Sequence, residues 1–158
     1  MIKTNINLKM NESQDKSRIE QVAADLDTDL ESKMIERVLP YFAEDCVIEI
    51  FGLKLKGITD LKKWLKWFFD LFDTIKFEPI VIMVEDNIFF EEFIIHVSFK
   101  NTNKLSVKVA EVLEYKNLKI KSLRLYLDRL EFAEAFPVGF LDRKIIKLIK
   151  KKSLKGLV

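Results

Sequence analysis

Between Ile75 and Asp128, apolar residues recur at every second position in four runs, near 75–84, 88–99, 104–115 and 118–128. That period belongs to strands with two distinct faces. Glu85-Asp86-Asn87, Lys100-Asn101-Thr102-Asn103 and Lys116-Asn117 separate the runs, and polar breaks this short predict a sequential antiparallel meander. Earlier in the chain the period is helical. Ser17–Leu30 and Glu31–Phe42 read as helices, the second on a stripe of Met34, Ile35, Val38, Leu39 and Phe42, with Pro40 kinking its last turn. Ala43-Glu44-Asp45 is expected to turn the chain, Cys46–Phe51 to form a short strand, and Phe51–Gly57 to form a hairpin. Leu61, Trp64, Leu65, Phe68 and Phe72 then mark the strongest helix, with Thr59 as its N-cap and its end near Asp73. Helices followed by a curled meander define an α+β class.

The strand pattern has one conspicuous exception. Glu111 falls on the same face as Val107, Val109 and Leu113, and an acid there must be neutral, hydrogen-bonded, paired or lining a cavity. In the 88–99 run, Phe89, Phe93, Ile95, Val97 and Phe99 share a face with Glu91, while Phe90, Ile94 and His96 share the other. Glu91 is expected to be solvated at a strand edge. Both faces are substantially apolar, so a second subunit is expected on the one that the helices leave uncovered.

Composition narrows the chemistry. The 158 residues suit one domain, and 13 Phe supply ample core. Four unclustered Gly exclude a glycine-rich phosphate loop. One Cys and one His cannot build an all-protein zinc site, so neither metal nor cofactor is implied. The first residues hold no long apolar run, which makes cytoplasmic residence the default expectation. The net charge of +2 is unevenly placed. Residues 140–158 carry seven Lys/Arg against Asp142, leaving 20 basic and 24 acidic groups, a charge of −4, on the rest. Residues 1–12 are polar and aperiodic and are expected to be a flexible N-terminus, 13–139 the folded domain, and 140–158 a basic amphipathic helix.

Tyr41–Ile50, the following hairpin, Gly57–Trp64, the meander and Arg124-Leu125-Tyr126-Leu127-Asp128-Arg129-Leu130 together resemble the NTF2-like superfamily. Within it the chain is similar to the SnoaL-like polyketide cyclases and the ketosteroid isomerase relatives. The resemblance covers roughly residues 17–136 and implies a cystatin-like cone, N-terminal helices packed in a curved, mainly antiparallel sheet, with a cavity inside and a homodimer through the outer sheet face. It matches Glu111 to the protonated acid of the steroid isomerases. Ile50 stands at their base position, and Leu26, nearest to their Tyr, has no hydroxyl, so their full mechanism is not implied. Asp128 matches the general base of the SnoaL-like cyclases, whose His and Trp neighbours are here Tyr126 and Leu127.

Each candidate has a plainer reading beside it. Glu111 is either a cavity acid or half of an ion pair. Asp128 lies opposite Leu123, Leu125 and Leu127 in the alternation, so a turn or cap role competes with that of base. His96 is read as structural or interfacial, and Cys46 as core. Phe68, Phe93, Val109, Leu125 and Tyr126 are the expected ligand-binding residues. Nucleic acid is disfavoured by the presence of only five Arg and no aromatic-basic motif. The primary expectation is an apolar cavity that binds a small hydrophobic carbonyl compound and isomerises or cyclises it without a cofactor. The alternative is a non-catalytic interaction module acting through its dimer surface and its basic C-terminal helix, on a membrane surface or a protein partner.

Overall fold

A computed structural model describes residues 15–99, 104–135, 140–153 and 155. The expected flexible segment 1–12, the Lys100–Asn103 turn and the 139/140 boundary fall wholly or partly outside these residues.

Helix α1 (Lys16–Glu31) begins where the Asp15 carboxylate accepts the Ser17 backbone N–H, and its Ile19, Ala23 and Leu26 are buried. The next segment is less helical than its stripe suggests. It contains a single four-residue α2 (Ile35–Val38) and a 3₁₀ turn, Leu39–Tyr41, into which Pro40 fits because its missing N–H is not needed in a first turn. Strand β1 (Phe42–Ile50) starts earlier than expected. Glu44 and Asp45 are both exposed because the register against the neighbouring strand slips between Phe42 and Val47, so this polar pair is a bulge within a strand and not a turn.

Phe51 and Gly52, both with positive φ, close a two-residue hairpin to β2 (Leu53–Lys56). Gly57 then opens α3 (Gly57–Leu71). Its φ is +73°, and an added Cβ would lie 3.1 Å from the Glu44 carbonyl oxygen, so glycine is required here. Thr59 is inside the helix and is not its N-cap. Lys56 holds that position, and the Asp60 carboxylate accepts its N–H at 3.2 Å.

The meander follows as β3 (Thr74–Glu85), β4 (Ile88–Ser98), β5 (Lys104–Lys116) and β6 (Lys119–Leu127), each antiparallel to the next. Strand β1 joins β6 in parallel, giving the order β2-β1-β6-β5-β4-β3. Register shifts in β1, β3 and β5 bend this six-stranded sheet around α1 and α3. The core between them is built from Ile19, Leu26, Leu61, Leu65, Phe72, Phe89, Val107 and Leu113, among others. On the outer face, His96 Nε2 meets Glu78 at 2.8 Å and Nδ1 meets Ser106 at 2.8 Å, while Lys108 pairs with Glu92 at 3.0 Å. That face is therefore more polar than the bare alternation suggests. Helix α4 (Arg129–Ala135) packs against β5 and against α5 (Phe140–Ser153). No described helix is long and apolar enough to cross a membrane.

Candidate functional site

Inside the curve of the sheet, α1, β1, α3, the four meander strands and α4 surround a cavity of about 70 Å³. A single water needs about 10–15 Å³ and ligand pockets usually hold several hundred, so this space is largely filled by its own side chains. The rings responsible include Phe51, Trp64, Phe68, Phe77, Phe93 and Phe132. Trp64 is stacked on Phe68 at 5.9 Å, Phe51 meets Phe132 at 5.8 Å, and Phe77 is edge-on to Phe93 at 5.5 Å.

Two acids enter this aromatic wall, Glu111 from β5 and Asp27 from α1. Beside them stands Glu91, whose backbone is registered directly opposite Glu111. Glu91 is 2% exposed and Glu111 9%. The expected solvated edge position for Glu91 is thus overturned: it sits mid-strand in β4 and faces inward with Phe89 and Phe93. No described lining residue is basic. Another buried acid, Asp29, shows what pairing looks like in this protein, accepting the Tyr41 hydroxyl at 2.8 Å and meeting Arg37 at 2.7 Å. Asp27, Glu91 and Glu111 have no such partner among the described residues.

Burial without a countercharge disfavours the ionised forms. Burial pushes Asp27 up to about 8, helped by the nearby charges of Glu91 and Glu31. Burial alone pushes Glu91 up to about 7. Glu111 is held well above the usual carboxyl range, by burial first and then by Asp27 and Glu91. The Tyr115 hydroxyl is raised by burial and by the same three acids. This arrangement can hold a proton on one carboxyl near neutral pH while another is free to accept one. Among the described residues, no group of three or more His, Cys, Asp or Glu is arranged to hold a metal ion.

Of the residues expected at the site, Glu111, Phe68, Phe93, Val109 and Leu125 line the cavity. Asp128 and Tyr126 do not. Asp128 is exposed beyond β6, where its carboxylate accepts the Leu130 N–H at 2.8 Å and starts α4. Tyr126, 57% exposed, points to the other side of the sheet, beside an open groove that Lys54, Arg124 and Arg129 also line. In both cases strand alternation decides the matter, since Leu123, Leu125 and Leu127 take the inner face. Asp27 went unnoticed in the sequence, although it sits between Leu26 and Leu30, the α1 residues that line the cavity with it, a half-buried acid breaking an apolar helical face much as Glu111 breaks a strand.

A six-stranded, bulged, unclosed sheet wrapped around helices, with acids in an aromatic interior, is the NTF2-like or ketosteroid isomerase-like fold. Many solved structures share it, among them these three. An NTF2-like protein of unknown function from Burkholderia pseudomallei matches at TM-score 0.70 and 12% identity, covering 77% of this chain and 98% of its own. A protein of ketosteroid isomerase-like fold from Catenulispora acidiphila, in complex with trimethylamine, matches at 0.68 and 11%, covering 75% and 94%. The epoxide hydrolase/cyclase-like enzyme of pyran ring formation in the polyether salinomycin matches at 0.68 and 13%, covering 75% and 96%. No curated protein matches the chain by sequence. Residues 23–123 match the family model of the SnoaL-like domain, and the chain belongs to that family.

Proposed function

We propose that this protein binds a small hydrophobic carbonyl compound in its aromatic cavity and moves a proton on it, as in isomerisation or cyclisation, without a cofactor. The observation that carries this reading is the set of three inward acids with no described basic partner, two of them in the cavity wall. Glu111, held well toward its neutral form, donates a hydrogen bond to the carbonyl oxygen as negative charge develops there. Asp27, once ionised, takes the proton from the adjacent carbon and later returns it to another. Glu91 stands behind Glu111 and, as a like neighbour, keeps the acids from ionising together. Trp64 adds a buried indole N–H without a hydrogen-bond partner. The cyclase-like structural neighbours support a cyclase or isomerase role but do not fix the compound. A cavity of about 70 Å³ favours a small ketone, and a larger compound must displace aromatic rings.

Deuterium exchange tests this reading. The full chain is incubated with cyclopentanone in D₂O, and loss of the α-proton signals is followed by NMR. The expected result is exchange faster than in protein-free buffer, with the rate rising between about pH 7 and 9 as Asp27 ionises near 8. Glu111→Gln should slow it by about a hundredfold or more. Equal rates for the two proteins would remove Glu111 from the mechanism.

A further inference from the structure

The cavity chemistry makes no use of α5. On this helix Ile145, Leu148 and Ile149 follow i, i+3, i+4 spacing, and all three side chains are about half exposed, so they form one outward apolar stripe. Lys151 flanks this stripe and Lys152 continues its face seven residues after Ile145, both exposed, while Lys147 is exposed on the opposite face; Lys150, Lys151 and Lys152 make the last turn basic, and Asp142 in the first turn is the helix's one acid. Residues 140–158 carry +6 while the rest of the chain carries −4.

We propose that α5 lies flat on an anionic lipid surface, with Ile145, Leu148 and Ile149 entering the headgroup boundary and the surrounding lysines meeting lipid phosphates. A bilayer supplies in one surface the two things this helix presents a match for, an apolar layer and a dense sheet of negative charge. Lysine stems extend along the apolar layer while their ammonium groups stay with the phosphates. The charge division also orients the molecule, because an acidic body is repelled by the surface that attracts the helix. The side of the fold brought toward the bilayer is then that of α4, which packs on α5 and contributes Phe132 to the cavity wall.

Vesicle co-sedimentation of the full chain tests the proposal, using phosphatidylcholine vesicles with and without 30% phosphatidylglycerol. The chain should pellet with the anionic vesicles at least tenfold more strongly than with neutral ones, and 0.5 M NaCl should release it. Each lysine near the surface contributes roughly fivefold in affinity. Lys151→Glu/Lys152→Glu should therefore weaken binding by more than tenfold, and Leu148→Ser/Ile149→Ser should abolish it, with circular dichroism confirming that both variants stay folded. Equal binding to neutral vesicles, or undiminished binding by the charge-reversed variant, would overturn the proposal. So would a chain that stays in the supernatant as a dimer and becomes monomeric with Leu148→Ser/Ile149→Ser, which would give the stripe to a second copy of itself.

Discussion

Replacing Glu91 by Gln removes an ionisation with almost no change in shape. In the unfolded chain this carboxyl ionises near its ordinary 4.5, and in the folded protein near 7. Between those values the folded state keeps a proton that the unfolded state has lost, so stability falls as the pH rises, at about 1.4 kcal/mol per pH unit for each such group. From pH 5 to pH 8 the loss due to Glu91 alone comes to about 2–3 kcal/mol, a large share of the stability of a domain this size. The Gln variant should therefore lose about 2–3 kcal/mol less than wild type over that interval. Leaving a buried amide without partners costs about 1–3 kcal/mol, but that cost is independent of pH and cancels when the two pH intervals are compared. Urea unfolding at pH 5, 6, 7 and 8, followed by tryptophan fluorescence, measures the difference directly. Parallel stability curves for the two proteins would mean that Glu91 titrates normally, and the reasoning about an uncompensated acid in the sheet would fail.

Two further substitutions probe the frame around the site. Leu65, fully buried in the centre of α3, should cost about 2–5 kcal/mol when changed to Ala, read as a lower urea midpoint with an unchanged slope. Asp128→Ala should cost about 1 kcal/mol through loss of the cap on α4, yet leave ketone deuterium exchange within twofold of wild type, because its carboxylate serves a helix and not the cavity. A large loss of exchange with intact folding would restore Asp128 as a base.

The four meander strands were legible because alternation and polar breaks act locally, and each run agrees with its strand to within a residue or two. What the sequence concealed depended on distant partners. Glu44 and Asp45 read as a turn because a bulge looks the same as a break until β6 is placed beside it. Glu111 read as a lone anomaly and Glu91 as a solvated edge residue, and the register of β4 on β5 is what makes them opposite neighbours. Asp27 joins them from 64 and 84 residues away, through the packing of α1 into the sheet's curve, which no single-segment pattern encodes. For Asp128 the same alternation that revealed the strands already favoured the cap over the base.

The two outermost strands of the sheet, β2 and β3, leave backbone donors and acceptors open to recruitment by another chain. β2 is only four residues long and carries Lys54 and Lys56. β3 is longer and exposes Ile80, Val81, Ile82 and Met83 in succession, the kind of segment that templates fibres. Just before that segment, Pro79 lacks an N–H and the register slips by one residue, so an incoming strand finds neither an unbroken row of donors nor a flat border. A chain so rich in strand-forming residues thus carries a kink at its most adhesive border, and Pro79→Val would exchange that kink for a longer shelf life of every misfolded contact.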